Sequence, residues 1–397
     1  MSDNIREFPK QEELSSKKKI RQKLLKRIRA RIYTILFVVI LVGSCVTAYV
    51  MYERNKVYDT LTVSESVLFT PASGTKIMEF DGNIMTYSKD GAGATDAKGN
   101  LLWNITFDMQ NPMVAMGGKT VAFADYGGTR IYVQGSDSKG YEVGTDMQVR
   151  NIAVSDNNVV VAVLEDTDVN WIYLYNSNGD IVAKFKTTME KSGYPVDVCI
   201  SPSGEVVGVS YYFLDIGNVR SSVAFYNFGD VGQNYIDNLV SAYNYTDSLV
   251  PIVRFLSNGY AFSLSSSRLS VFEGAHKPVN LKDTLLSDEV KAVFYDEKYI
   301  GVVFANTGSQ DKYRLEIYSE KGDPIQTKTF DFDFSNVVFG SDQFTIYGND
   351  RLYVGTMGGK TKLELETDDT LRLVIPTSSP TKFIIVTDNS IKTVIMQ

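Results

Sequence analysis

Between residues 60 and 397 one local pattern recurs: a short strand-like run, a turn built from Gly, Asn, Asp, Ser or Pro, and a second strand-like run. The pairs fall at 76–80 and 83–87, 113–116 and 120–124, 152–154 and 159–164, 196–200 and 205–211, 252–256 and 260–264, 292–295 and 299–304, 337–339 and 343–347, and 373–375 and 382–386. Their starts lie roughly 36 to 56 residues apart, and a period of about 40–50 residues is that of a four-stranded blade in a closed ring. Second hairpins at 171–175/180–186 and 315–318/325–330 complete the four-strand plan in two units. The segment therefore implies an all-β, seven- or eight-bladed β-propeller. Eight is the count the pairs give; seven is the alternative because the first two units are short.

The two ends of this region fit closure of a ring. The last unit has a third strand at 391–396 and then stops one strand short, while 61–69 is strand-like and belongs to no unit. That orphan can supply the missing strand, pairing the ends and removing an open sheet edge.

Ahead of the ring stands an uncharged run from Ile32 to Tyr52, IYTILFVVILVGSCVTAYVMY. As a helix of about 21 residues it spans about 31 Å, the thickness of the hydrocarbon core of a lipid bilayer. Its small hydroxyls can bond back to the helix, so no polar group needs an outside partner. Residues 17–31 carry nine basic residues and no acid. Ile20, Leu24, Leu25 and Ile28 recur there at helical spacing, which suits a basic helix resting at a headgroup surface. Positive charge before the span and little after it puts the N-terminus in the cytoplasm and the remainder outside, in a single pass. The run is longer than a cleavable secretory core. Residues 41–45 resemble a lipobox, but Cys45 lies far from the N-terminus with more apolar residues behind it. The expected division is a basic cytoplasmic arm at 1–31 with its first 16 residues disordered, a transmembrane signal anchor at 32–52, a linker at 53–60 and an extracytoplasmic propeller at 61–397.

The formal net charge of −7 hides an asymmetry: 11 Lys and Arg against 4 Asp and Glu over 1–31, and 27 against 41 over 60–397. An acidic domain lacks the basic face that phosphates need, which argues against nucleic acid as a partner. Its acidity keeps an exported domain soluble. Cys45 lies in the apolar run and Cys199 in a strand, so no disulfide framework follows.

The stretch Ala94-Thr95-Asp96-Ala97-Lys98-Gly99-Asn100-Leu101-Leu102-Trp103 resembles the repeat of quinoprotein-like propellers, in which an Asp, a Gly and a Trp mark the outer hairpin. Residues 175–181 and 318–325 keep the turn and lack the Trp. The whole layout resembles an uncharacterised family of membrane-anchored propellers of anaerobic Gram-positive bacteria, a domain of unknown function. More distantly it is similar to the propeller lipoprotein that helps assemble outer-membrane barrels. These resemblances imply fold and location, not an activity.

Signals for catalysis are thin. The one histidine, His276, sits in a polar turn, and no zinc spacing, GxSxG elbow or phosphate-binding loop is present. A pyrroloquinoline quinone site is the enzyme hypothesis that the resemblance raises. With two Trp in the chain the repeated Trp docking of such enzymes is missing, as is an adjacent Cys pair, so no cofactor is expected. Asp166/Asp168, Asp331/Asp333 and Asp368/Asp369 are the carboxylate pairs that could hold Ca²⁺ or work as acid and base. The alternation Asp331-Phe332-Asp333-Phe334 reads more simply as a half-buried strand with Phe inward and Asp in water. The most distinctive stretch lies between 211 and 251, where Tyr211, Tyr212, Tyr235, Tyr243 and Tyr245 stand among Asn, Asp and Gly. Rings with polar tips and amide neighbours suit binding of glycans or peptides. The expectation is a protein- or wall-polymer-binding scaffold at the cell envelope, held in the lipid bilayer through Ile32 to Tyr52. A carboxylate- or Ca²⁺-dependent hydrolase or lyase on the same scaffold is the alternative.

Overall fold

The computed structural model describes residues 10–397 apart from 168, 189–191, 216–217, 247 and 341. The chain divides into two compact units between Val57 and Tyr58. The first contains one helix, Lys10–Asn55, which at 1.5 Å per residue is about 69 Å long. It begins earlier than expected: residues 10–16, read as disordered from their polarity, are helical, and residues 1–9 of that stretch lie outside the described ones. Gln, Glu, Leu and Lys are good helix formers, and no Gly or Pro interrupts the sequence between Lys10 and Gly43. Within the helix, Leu24–Ala48 is long and apolar enough to cross a membrane, and large side chains such as Phe37 and Ile40 are exposed. The Ser44 hydroxyl donates to the Leu41 carbonyl at 2.8 Å and Thr47 to that of Gly43 at 2.7 Å. Both are satisfied by the helix itself.

The second unit is an eight-bladed β-propeller, eight antiparallel four-stranded sheets. Blades 1 to 7 occupy 76–106, 112–144, 148–187, 194–245, 252–285, 290–330 and 336–366. In each, the first strand packs beside the first strands of neighbouring blades around a central channel, and the next three follow outward in chain order. Blade 8 departs from that order. Leu371–Pro376, Lys382–Thr387 and Ser390–Met396 run outward, and Leu61–Leu68 adds the outermost strand. Leu61 stands opposite Met396 and Leu68 opposite Ser390, so the orphan strand does close the ring.

The start of the ring is fixed by hydrogen bonds. The Tyr58 amide donates to the Lys362 carbonyl at 2.8 Å, the Gln397 amide to that of Thr60 at 3.0 Å, and the Lys362 ammonium lies 5.1 Å from the centre of the buried Tyr58 ring. The helix takes in 53–55 of the expected linker, and 56–60 carry neither helix nor strand.

The second strands are buried on both faces rather than alternating. Val160–Leu164 and Gln343–Tyr347 are buried at every position, because a blade's inner half is covered by a neighbour on each side. Each Val, Leu or Phe so buried contributes about 1.5–3 kcal/mol. Outer strands such as Val279–Leu285 are mostly exposed. Neighbouring inner turns are tied to one another as well. The Gly118 amide donates to Asp156, the Asn157 side chain to the Ser203 carbonyl (3.0 Å), the Ser203 amide to Asn258 (2.7 Å), and Gln343 to the Pro380 carbonyl (2.9 Å).

The outer turns share one construction. Asp96, Asn176, Ser319 and Thr356 each accept backbone amides from two to four residues ahead through a side-chain oxygen. Gly99, Gly179, Gly322 and Gly359 take the left-handed position, with φ of 80°, 83°, 77° and 86°. A bulge follows at Leu102, Val182, Ile325 and Lys362.

Candidate functional site

The fourth blade carries the aromatic insertion. Its second and third strands, Val206–Asp215 and Asn218–Asn227, are the longest of the ring. A loop then runs to Leu239–Tyr245 through two short 3-10 turns, Gly232–Asn234 and Ile236–Asn238. The structure does not gather the five tyrosines. Tyr211 is fully buried against blade 3, its hydroxyl 3.0 Å from that of Tyr226, and burial holds its pKa well above the usual value. Tyr245 is buried toward blade 5, its hydroxyl 3.2 Å from Ser263. Tyr212 is half-buried on the second strand, paired in register with Tyr194 and Ser221. Tyr235 and Tyr243 do converge, both on the outer turn of blade 5. Lys277 donates to the Tyr235 hydroxyl at 3.3 Å and lies 5.1 Å from its ring centre. The Tyr243 hydroxyl donates to the Pro278 carbonyl at 3.1 Å and accepts the Asn280 amide at 3.0 Å.

Beside Tyr235 stands a residue that the reading of the aromatics missed. Ile236 is 88% exposed, the most exposed large apolar side chain among the described residues of the ring. Its loop is held in one shape. Asn238 donates to the Asn227 carbonyl at 3.0 Å, and Asp237 and Asn238 both take positive φ (56° and 59°). Gly232 approaches so closely that an added Cβ would lie 1.6 Å from the Asn227 oxygen. The sequence signal was the Asp-Asn pair after Ile236, since these types tolerate left-handed backbone.

The carboxylate pairs are dispersed. Asp331 and Asp333 lie on the connection between blades 6 and 7, not on a strand, because Phe330, Phe332, Phe334 and Tyr313 cluster there with ring centres 5.0–5.7 Å apart and hold the chain irregular. Phe points inward and Asp outward, as the alternation implied. Asp333 accepts from Lys312 at 3.3 Å and Tyr313 at 3.4 Å. Asp369 pairs with Lys392, and Asp168 lies outside the described residues. Among the described residues no group of three or more His, Cys, Asp or Glu converges as a metal would need. His276 is exposed, its Nδ1 3.5 Å from a Glu205 oxygen.

The channel holds the other polar concentration. On the inner strands of blades 3, 4 and 5, Asp197 accepts from Asn151 (3.4 Å), from the Val253 amide (2.9 Å) and from Arg254. Tyr295 of blade 6 lies close enough to Arg254 to feel its charge. Across the lumen the inner strands of blades 1, 2, 6, 7 and 8 line an open cavity of about 580 Å³.

An eight-bladed propeller preceded by one apolar helix is the class this fold defines. Residues 54–396 match the family of unknown function (DUF5711), and the chain belongs to that family. No curated protein matches it in sequence. Among solved structures it is similar to BamB from Moraxella catarrhalis, with 10% identity over 85% of this chain and 100% of that one, and a TM-score of 0.50. A eukaryotic initiation factor matches at 14% identity over 83% and 86%, and Sqt1 from Chaetomium thermophilum at 10% over 85% and 100%, both with a TM-score of 0.50. At such identities the likeness is one of fold.

Proposed function

We propose that the chain is a single-pass envelope protein, its basic arm cytoplasmic, whose extracytoplasmic propeller acts as a scaffold that binds another envelope protein or a wall polymer. The apolar helix with cations ahead of the span supports the topology. The observation that carries the binding role is the blade 4 loop, where Ile236 is displayed on a backbone fixed by Gly232, Asn227 and Asn238. A side chain presented on a preformed loop loses little conformational freedom on binding, and an apolar tip beside a tyrosine has the composition of a contact centre. Tyr235, steadied by Lys277, and Tyr243 at the adjoining turn extend that surface.

The test is in-cell crosslinking followed by mass spectrometry of the tagged full chain, wild type against Ile236→Asp. Ile236 touches little within the ring, so the variant should fold normally and lose its envelope partners by tenfold or more. The same partners recovered in equal yield would overturn the loop as the binding site. Protease access to the propeller in intact cells tests the topology separately.

A further inference from the structure

The cavity in the central channel has a composition that selects its occupant. Blades 1 and 6 are not neighbours, and neither are blades 2 and 7, yet Met78 and Glu79, Met116, Tyr295 and Asp296, and Phe339 all line one space. They therefore meet across the lumen. Its volume, about 580 Å³, falls within the range of roughly 300–1,000 Å³ typical of small-molecule sites. The wall is largely apolar, with two thioethers and aromatic rings, a lining suited to an alkyl chain and attractive to a cation over a ring face.

The charges in that wall do not balance. Arg372, at a register shift between Leu371 and Leu373, borders the cavity and is paired with Asp388. Among the described residues no cation acts on Glu79: Oε1 accepts the Gly82 amide at 2.6 Å, and the charged neighbour that acts on it is a second acid, Asp81. Asp296 accepts the amides of Lys298 and Tyr299 at 2.8 and 2.7 Å. Desolvation by the surrounding wall raises the pKa of both carboxyls above their ordinary values, although Glu79 stays open to solvent and Asp296 is half-buried. A carboxylate facing an apolar space is stabilised by an opposite charge placed beside it. On the far side the inner strands carry the hydrogen-bonded group Asn151, Asp197 and Arg254, with Tyr295 within the field of that arginine.

We infer that the channel cavity binds a small organic cation, an amine or guanidinium group on an alkyl body, with Glu79 as its principal countercharge. This site is separate from the blade 4 loop and does not depend on it. The ligand's charge sits against Glu79, and its alkyl part lies along Met78 and Met116.

Isothermal titration of the full chain in nonionic detergent tests this, with cadaverine as the probe and glutarate as its charge-reversed counterpart. Cadaverine should bind at one site and glutarate should not. Glu79→Gln keeps an acceptor for the Gly82 amide and should weaken binding at least tenfold. Met116→Lys, which places an ammonium in the lumen, should abolish it. Asp331→Asn, at an exposed acid outside the channel, should leave the affinity unchanged. Absence of cadaverine binding to the wild-type chain would overturn the inference. So would equal binding to the Glu79→Gln and Met116→Lys chains, or an equal loss in Asp331→Asn, since each would assign the cation to the acidic surface. Thermal melts confirm that each variant is folded.

Discussion

Asp197 is a carboxylate in a place that disfavours its charge. It is 6% exposed on the inner strand of blade 4, and burial pushes its pKa up while Arg254, the Val253 amide and Asn151 pull it part of the way back. Tyr295 and the buried Cys199 complete its surroundings. A carboxyl whose folded pKa exceeds its unfolded value binds its proton more tightly when folded. Its contribution to stability is therefore greatest below about 3.8 and is lost as the pH rises through the folded pKa. In urea titrations between pH 3.5 and 7, the stability of the wild-type chain relative to Asp197→Asn should decline as pH rises; a flat or rising difference would refute the assignment. Removing the charge without replacing its partner is another matter. Asp197→Ala strands Arg254 and should cost about 3 kcal/mol, the lower end for a broken buried pair because the lumen still wets the guanidinium. Asp197→Leu with Arg254→Met should recover most of that loss, and a double variant as unstable as the single one would show that packing rather than stranded charge is responsible.

At the scale of the element, the outer turns show what a sequence states and what it leaves implicit. The Asp-x-x-Gly signal was legible at Asp96–Gly99 and at the turns of blades 3 and 6, because side-chain caps and left-handed glycine use few residue types. The fourth copy, Thr356–Gly359, was not, since Thr caps as Asp does but is common in strands for other reasons. The bulges were invisible: Leu102, Val182, Leu281 and Ile325 look like any strand residue, and their displacement exists only in the register with the neighbouring strand. Tyr211 and Tyr245 misled for a related reason, since a ring with a polar tip suits a blade interface as well as a ligand surface. The turn glycines themselves should respond differently to substitution. At Gly179 an added methyl meets only ordinary contacts at 3.5 Å, so Gly179→Ala should cost the left-handed strain alone, about 1–2 kcal/mol. At Gly322 the methyl would come within 3.0 Å of Val271 of the preceding blade, and Gly322→Ala should lower the melting temperature further. Equal losses at the two positions would mean that the inter-blade contact yields freely.

At the scale of the whole molecule, closure by Leu61–Leu68 makes the two ends of a long chain depend on each other. The ring was legible from its repeated hairpins and its orphan strand; the helical arm at 10–16 was not, because a polar stretch flanked by disorder-promoting residues carries no amphipathic pattern to mark it. The closing blade has a core of its own in Leu371, Phe383, Val394 and Met396, and that core continues into Tyr347, Leu352 and Val354 of blade 7. On the other side Leu373, Ile375 and Ile391 pack with Ile84 of blade 1. Opening blade 8 therefore uncovers apolar surface on two further blades, each then left with a face in water. The chain has no covalent link across that seam, so the pairing of Val63 with Val394 and its neighbours is what holds the ring shut. Val394→Asp places a charge in this core without a partner and should cost 4 kcal/mol or more, on the order of the largest single-residue effects. Leu68→Asp, on the same pair of strands but exposed, should change stability by no more than about 0.5 kcal/mol. Hydrogen exchange on the Val394→Asp chain then distinguishes two kinds of ring. If the blades stand or fall together, amides of blades 3 to 5 lose protection in parallel with those of blades 7, 8 and 1. If protection in blades 3 to 5 survives while blade 8 exchanges freely, the inner turns tied from Gly118 through Asn258 hold that arc on their own, and closure guards only the seam.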